Sequence, residues 1–436
     1  MNHRQATQKA KKDVTLLRWV FVLSFIAQTM LYATGGTPTG SGTITDPFLV
    51  ADYADLKAVG TTTTYTLGAV YRLTGDIDAS ASATENSGAG FVPIGNRNAT
   101  MFIGTFQGAG HVIKNLYINC SATLDVGLFG DAWGATIDSL GVLNANIKGA
   151  GGYAGCIAGE NYFGTISNCY ATGSVTDSGG VGGIVGWNPG TITNCYATVA
   201  VTGFESAGGV VGYNQGPMSN CYSTGTVTGQ DYIGGVAGFN LDIITNCYAT
   251  GTLTGSIKVG GVVGANGSPG KISNCYWNTQ TTGCPSGYGQ NEGTFSGSGF
   301  TTTQMQQSSS FSGWDFTTVW SINSNINHGY PYLASIMPTF VEGAAVVTPE
   351  NFILLQNYPN PFNPSTVIRY QLPSTSMVSL KVFDLLGKEV ATLVNEVKAA
   401  GSYSVEWNAS KFVSGVYFYT LRADNFVLTN KMMLTR

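Results

Sequence analysis

The chain has 436 residues, of which 43% are hydrophobic and only 10% are charged, and its formal net charge is -4. This length suits two or three domains, and the composition excludes a disordered chain, a coiled coil, a small disulfide-stapled scaffold and a nucleic-acid-binding protein. The 59 glycines show no collagen triplet and accompany 22 tyrosines, which favours an all-β fold with many turns.

The first segment has the layout of a secretory signal peptide. Basic residues between Arg4 and Arg18 precede an apolar run from Trp19 to Leu31, and small residues follow from Ala33. The run is too short to span a bilayer as a stable helix. We therefore predict a signal peptide over residues 1–33, with an uncleaved anchor as the alternative. The exported chain would then have no membrane span.

An internal repeat dominates the middle of the chain. The strings TISNCYATGSVT, TITNCYATVAVT, PMSNCYSTGTVT, IITNCYATGTLT and KISNCYWNTQTT recur between residues 165 and 282. Their cysteines lie 26, 26, 26 and 28 residues apart, and the glycine blocks GGIVGWN, GGVVGYN, GGVAGFN and GGVVGAN also repeat every 26 residues. Two independent markers with one period indicate one structural unit for each repeat.

A unit of this length predicts a solenoid. Short β-prone runs and glycine turns cannot bury an apolar face alone, whereas stacked coils about 4.8 Å apart can. A propeller blade would need roughly 40 residues. We predict a right-handed parallel β-helix over residues 34–335. An amphipathic stretch at Tyr53 to Val59 would cap its first coil, and an aromatic segment from Phe311 to Trp320, after a helix at Gln304, would plug its last.

The alternation of side chains in one repeat indicates which of them point inward. In TISNCYATGSVT, Ile166 has one parity and Cys169 and Val175 the other, so the strand bends between them at Ser167 and Asn168. Asparagine tolerates left-handed backbone. We therefore predict an asparagine ladder along one corner, made of Asn168, Asn194, Asn220, Asn246 and Asn274.

The repeated cysteines are predicted to occupy an aliphatic position, since the upstream strings HVIKNLYIN and GATIDSLGVLN fit the same frame with Leu116 and Leu140 there. We predict a buried column of inert thiols, made of Cys169, Cys195, Cys221, Cys247 and Cys275. Disulfides between adjacent coils are the alternative, because an exported protein can form them.

The same parity predicts an exposed outer face of tyrosines and threonines. It comprises Tyr170, Tyr196, Tyr222, Tyr248 and Tyr276, beside Thr172, Thr198, Thr224 and Thr250. Aromatic rings suit sugars or peptide surfaces and hydroxyls suit hydrogen bonds, so this face is a candidate binding platform. The alternative interpretation is that these residues simply suit exposed strands and stack for stability.

The glycine blocks and NCYATG strings resemble the GLUG repeat of bacterial surface proteins, over about residues 40 to 335. The upstream FVPIGN and FIGTFQGAGHVIKNLYI are similar to the region that leads into such repeats. The resemblance implies a β-solenoid. It is weak for activity, because members of the family are often adhesin-like or of unknown activity.

Composition changes after Pro349. Residues 141–300 hold nine charged residues, whereas residues 350–436 hold fourteen, and alternating strands replace the repeat. VIRYQL, VSLKVFDL, YSVEWN, GVYFYTLRA and FVLTNKMMLT predict a small Ig-like β-sandwich over residues 351–436, after a linker at 336–350. NYPNPFNPST, LKVFDLLGKEVATLV and SGVYFYTL closely resemble the C-terminal sorting domain of type IX secretion cargo. This resemblance implies type IX machinery as a partner and an extracellular or outer-surface location.

Catalytic groups are sparse. No HExxH motif occurs, and we expect no cofactor, no metal site and no catalytic residue. The carboxylates of the repeats are spread over different coils and are expected to be solvated loop charges: Glu160, Asp177, Glu205, Asp231 and Asp242. We therefore predict a secreted or surface-anchored, non-enzymatic adhesion protein with a glycan or surface-protein ligand. The alternatives are a β-helix polysaccharide lyase or hydrolase and, more remotely, an ice-binding protein.

Overall fold

A computed structural model describes residues 36–120, 124–324, 326–336, 352–357 and 360–435. The predicted signal peptide and residues 337–350 of the predicted linker lie outside these residues. None of the helices in the described ranges is long and apolar enough to cross a bilayer. Within the described residues, short α-helices span Tyr53–Ala58, Thr279–Thr282 and Thr302–Met305. The 3-10 helices span Ser80–Thr84, Asn86–Gly88, Ser308–Ser310 and Asn327–Gly329.

The solenoid is a stack of parallel coils that pair in register. One column of strands runs from Phe48–Val50 to Thr294–Phe300 and contributes an inward side chain from every coil. These side chains are Phe48, Tyr71, Phe106, Ile137, Ile166, Ile192, Met218, Ile244, Ile272 and Phe295. The predicted parallel β-solenoid is therefore confirmed.

Three sheets wrap around this core. The 20-stranded sheet contains Phe48–Val50, Val70–Leu73, Ile77–Asp78, Thr105–Gln107, Val112–Lys114, Tyr117–Asn119, Thr136–Asp138, Gly141–Lys148, Thr165–Ser167, Tyr170–Thr176, Thr191–Thr193, Tyr196–Thr202, Met218–Ser219, Tyr222–Ser223, Val227–Thr228, Ile243–Thr245, Tyr248–Ala249, Leu253–Thr254, Lys271–Asn278 and Thr294–Phe300. The six-stranded sheet contains Asp125–Val126, Tyr153–Ala154, Gly180–Gly182, Ser206–Gly208, Ile233–Gly234 and Val259–Gly260. The seven-stranded sheet contains Phe129–Trp133, Ala158–Tyr162, Val185–Asn188, Val211–Asn214, Ala237–Asn240, Val263–Asn266 and Tyr288–Asn291.

The helix Tyr53–Ala58 follows the first strand, at the position where the sequence predicts an amphipathic cap. The Asp52 side chain accepts a hydrogen bond from the backbone N–H of Asp55 at the helix N-terminus. Leu56 is buried against the solenoid core. The helix therefore adds an apolar side chain to the core of the first coil, and its role as an end cap stays a prediction.

The aromatic segment near the other end has a different position from the predicted plug. The helix Thr302–Met305 begins at Thr301 with a capping box to Gln304, as its sequence suggests. The chain then returns along the outside of the solenoid, and its strands Trp320–Ser321 and Tyr332–Leu333 pair with each other. We call residues 301–324 and 326–336 the strap.

The C-terminal region contains two antiparallel sheets around a separate apolar core. One sheet contains Ile353–Leu354, Ser365–Leu372 and Gly401–Asn408, and the other contains Glu389–Lys398, Ser376–Phe383, Gly415–Ala423 and Phe426–Leu434. Buried Tyr370, Trp407 and Tyr419 belong to its core. The predicted β-sandwich is confirmed. The strand Glu389–Lys398 was not among the five strands expected from sequence.

Candidate functional site

The predicted tyrosine face is a ring ladder that the protein buries. Tyr170, Tyr196, Tyr222 and Tyr248 pair in register, with ring centroids 5.1, 4.9 and 4.9 Å apart and rings nearly parallel. All five tyrosines, including Tyr276, have at most 7% of their surface exposed. The expectation of an exposed tyrosine platform is therefore wrong.

The strap is what covers the tyrosines. Trp320 packs 6.1 and 6.0 Å from the rings of Tyr222 and Tyr248, and it stacks on Trp314 at 4.2 Å. The Tyr248 hydroxyl donates to the carbonyl oxygen of Pro331 over 2.5 Å. The tyrosines do point away from the solenoid core, but a segment that lies far along the chain seals them from solvent.

The threonines of the same face have mixed exposure. Thr172 and Thr250 are buried, whereas Thr198 and Thr224 are partly buried and share a hydroxyl–hydroxyl hydrogen bond of 2.8 Å. A second row is exposed and in register, and it consists of Thr176, Thr202, Thr228 and Thr254. The ice-binding alternative depends on such rows and stays a prediction.

The corner asparagines form a hydrogen-bonded ladder. Asn168, Asn194, Asn220, Asn246 and Asn274 all have φ between 51° and 53°. Each amide donates to the preceding one, over 3.3, 3.1, 3.3 and 3.3 Å along the column. Asparagine suits this position because it tolerates the left-handed backbone of the corner and also bonds to its neighbours.

The repeated cysteines are buried and not disulfide-bonded. Cys169, Cys195, Cys221, Cys247 and Cys275 are fully inaccessible. Burial raises the pKa of the Cys169 and Cys247 thiols well above their ordinary value, so the reactive thiolate is disfavoured. Leu140 does precede Cys169 in this column, since Gly141 pairs with Tyr170. Leu116 does not, because its neighbour Tyr117 pairs with Asn146 further along the coil.

A second set of aromatic rings lies on the six- and seven-stranded sheets and remains partly exposed. We call it the aromatic strip, and it consists of Trp133, Tyr153, Tyr162, Trp187, Tyr213 and Phe239. Trp187, Tyr213 and Phe239 pair in register on successive coils, and the Tyr213 and Phe239 rings stack at 4.9 Å. The aromatic residue in the first three of the four glycine blocks is the sequence signal for this strip, which the sequence-based prediction missed.

Neighbouring rings fix Trp187 from both sides. Tyr153 stacks on it with centroids 5.3 Å apart, and Tyr162 meets it edge-on at 5.6 Å. The Trp187 indole N–H donates to Gln215 Oε1 over 3.1 Å. Gly180 makes room for this cluster, because a Cβ atom there would lie 2.8 Å from the Tyr153 ring. The strip is therefore a set of positioned rings that keep part of their surface in solvent.

A buried asparagine ladder supports the strip from behind. Asn161, Asn188, Asn214, Asn240, Asn266 and Asn291 donate from one to the next over 2.7 to 2.9 Å. Asn188, Asn214, Asn240 and Asn266 are completely buried. These residues end the repeated glycine blocks, so their period was visible in the sequence although their role was not.

Three carboxylates meet beside the strip. Glu160 pairs in register with Asp131 on one side and with Trp187 on the other, and Asp125 lies on the adjacent sheet. Their oxygens lie within 4.8 Å of one another, and all three residues are buried. The expectation that Glu160 is a solvated loop charge is therefore wrong.

Arg97 supplies the positive charge in this cluster. Its Nε lies 2.9 Å from an Asp125 carboxylate oxygen and 3.4 Å from one of Asp131, and its Nη2 contacts Glu160. Its backbone N–H also donates to Asp131 over 2.7 Å. Burial, reinforced by Asp131, raises the pKa of Asp125 to about 6 despite Arg97. One partly exposed arginine thus faces three buried carboxylates.

Other predicted loop charges also differ in their environments. Asp177 is buried, and its Oδ1 accepts hydrogen bonds from the backbone N–H groups of Gly151, Ser178 and Gly179. Glu205 is exposed, whereas Asp231 and Asp242 are partly exposed. Asp177 therefore orders the turn between two coils, which a solvated charge would not do.

Comparison with known proteins agrees with this architecture. Residues 177–202, 205–228 and 229–254 match the GLUG motif, and residues 356–435 match the secretion system C-terminal sorting domain. A solved structure described as a putative immunoglobulin A1 protease from Bacteroides ovatus has a TM-score of 0.55 and 24% identity, over 68% of this chain and 94% of that chain. This likeness establishes the fold alone.

Halomucin from Haloquadratum walsbyi is 40% identical over an alignment of 158 residues, and the match covers 34% of this chain. The chain spans only 2% of the length of halomucin. The fold and repeats define a class, the parallel β-solenoid repeat proteins. Within it, this chain carries GLUG motif repeats together with a type IX secretion sorting domain. That domain marks the protein for export to the cell surface or beyond.

Proposed function

We propose that the protein is an extracellular adhesion or binding protein and that the aromatic strip is its binding surface. Partly exposed rings, held in register on a rigid scaffold, are the observation that carries this proposal. Such rings offer large apolar contact area at small entropic cost, because neighbouring rings already restrict their rotation. Export by the sorting domain and the GLUG repeats support a role at the surface.

An extended glycan is the ligand class that the strip suits best. The rings run along the solenoid for several coils, so a chain-like ligand can contact more than one of them at once. The polar rim of the strip includes Gln215, Arg97 and Lys258, and Lys258 Nζ lies 2.7 Å from the Tyr232 hydroxyl. Weak contacts repeated along one chain add through effective concentration.

Binding of the purified full chain to an array of polysaccharides tests this proposal. We expect Trp187→Ala, and more so Trp187→Ala with Tyr213→Ala, to weaken binding at least about tenfold, as loss of a central aromatic contact does. Thr202→Ala is the matched control, because Thr202 is exposed on the same solenoid but outside the strip. Equal binding by all variants would reject the strip as the binding surface.

A second candidate function is glycan cleavage, which the carboxylate cluster favours. Paired carboxylates with one raised pKa are the groups that glycoside hydrolysis requires. Asp125 has such a pKa and lies close to Asp131 and Glu160, beside the strip. Release of new reducing ends by the wild type, but not by Glu160→Gln, would support cleavage. Binding without product release would favour adhesion.

A further inference from the structure

The turn at residues 384–388 of the sorting domain presents two leucines to solvent. Leu385 is 70% exposed and Leu386 is 93% exposed. The turn joins the strands Ser376–Phe383 and Glu389–Lys398, and neither leucine belongs to the sandwich core. Exposed apolar side chains that a fold does not need for its core are candidates for contact with another molecule.

The turn is rigid although it lies at the surface. Asp384 accepts hydrogen bonds at one carboxylate oxygen from the backbone N–H groups of Leu386 and Lys388, over 3.0 and 2.9 Å. The backbone N–H of Asp384 donates to the Lys388 carbonyl oxygen, and that of Gly387 donates to the Asp384 carbonyl oxygen. Gly387 has a φ of +79°, which suits glycine in such a turn. The two leucines are thus held in place before any partner arrives.

An apolar depression adjoins the turn on the outer face of the four-stranded sheet. Phe383 and Phe418 pair across neighbouring strands and are only partly buried. With Leu385, Gly387, Asp384 and Thr420 they line a shallow cavity of about 340 Å³. Leu385 belongs both to the turn and to the lining of the depression, so the two adjoin and form one surface. Lys381 and Glu389 border it with an ion pair of 2.8 Å.

We propose that this surface is the part of the sorting domain that the type IX translocation machinery recognises. The match to the sorting-domain family supplies the partner, since a domain of this family is an export address. An address has to be read from the outside of a folded domain, so the recognised feature must be exposed and preordered. The leucine turn meets both conditions, and its apolar character calls for an apolar pocket on the partner.

Export of the full chain from a bacterium with a working type IX system tests the proposal. The variants are Leu385→Asn, Leu386→Asn and the double variant, each compared with wild type for the fraction of protein outside the cell and the fraction kept in the periplasm. We expect the double variant to lower the external fraction at least about tenfold and to accumulate in the periplasm.

The matched control is Val397→Asn. Val397 is 64% exposed and lies in the same hairpin, at the end far from the turn. Its substitution should leave export within about twofold of wild type, as expected for an exposed residue outside the contact. Wild-type export of the double variant would overturn the proposal, and so would an equal loss with Val397→Asn.

Folding of the retained protein is measured separately. Thermal unfolding and protease resistance of the purified double variant should match those of wild type, because both leucines lie in solvent. If the double variant proves unstable, Leu386→Gln alone replaces it, since Leu386 is the more exposed of the two. Normal export of that stable variant would equally overturn the proposal. Glycan binding by purified protein is independent of this result.

Discussion

The solenoid carries two columns of aromatic rings that differ in their exposure to solvent. The tyrosine ladder and the aromatic strip both repeat at the coil spacing and both stack through rings about 4.9 Å apart. The strap buries the first and leaves the second partly exposed. A ring that points away from a coil is therefore not necessarily a surface ring, because another segment of the chain can cover it.

The strap explains the difference in chemical terms. It brings its own apolar residues to the tyrosine ladder, among them Met305, Phe311, Trp314, Trp320 and Leu333. Removing this apolar surface from water stabilises the contact by about 25 cal/mol for each Å². The strip has no corresponding segment among the described residues. The tyrosines thus serve stability, while the strip is available for ligands.

The largest expected effect comes from removing a strap residue that covers the tyrosine ladder. We expect Trp320→Ala to lower the free energy of unfolding by about 3–5 kcal/mol, because a large buried ring is lost and a cavity remains. Urea unfolding measures this. Trp187→Ala should cost less than about 1 kcal/mol, since its ring is partly in solvent already. If both variants lost a similar amount of unfolding free energy, the strap would not distinguish the tyrosine ladder from the aromatic strip.

A smaller effect is expected behind the strip. Asn214→Ala removes the acceptor of the Asn188 amide and the donor to Asn240, all inside the solenoid. Unpaired buried polar groups cost about 1–3 kcal/mol, so the unfolding free energy should fall by that amount. Thr226→Ala changes an exposed side chain of the same coil and should shift stability by less than about 0.5 kcal/mol. A neutral Asn214→Ala would show that the ladder does not hold the strip.

The carboxylate cluster at one end of the strip should make the stability of the protein depend on pH. The pKa of Asp125 is about 6 in the folded protein and lower in the unfolded chain. The folded state therefore binds more protons between about pH 4 and pH 6, and stability should fall as pH rises through this window. The free energy of unfolding of Asp125→Asn, measured by thermal unfolding, should depend less on pH than that of wild type. Near neutral pH the two free energies should differ by about 1–2 kcal/mol. An unchanged profile would contradict the assignment.

The smallest effect is spectroscopic. Burial raises the pKa of Tyr222 and Tyr248 well above 10 and that of Tyr170 to about 12. At about pH 11 these ladder tyrosines should stay protonated in the folded protein, whereas solvated phenols ionise. Ultraviolet absorbance of tyrosinate measures this. Trp320→Ala should allow the ladder tyrosines to ionise at lower pH. Ionisation of all tyrosines together in the wild type would mean that the strap does not seal the ladder.

Much of the architecture was determined by the sequence alone. The 26-residue period predicted stacked coils, since one unit cannot bury its apolar face without neighbours. The bend at Asn168 and its equivalents followed from side-chain parity, and the sandwich followed from alternating strands. These features are local or repeat at a fixed spacing, which is why they can be read along the chain.

Only the tertiary structure decided which surfaces are open and which charges meet. The strap lies more than 50 residues beyond Tyr248 and still covers it, and no periodic pattern predicts that return. Arg97 reaches Asp125, Asp131 and Glu160 from another coil, because stacking of neighbouring coils places residues from distant parts of the chain side by side. Exposure and electrostatic pairing depend on these long-range contacts, so the position of the candidate site had to come from the fold.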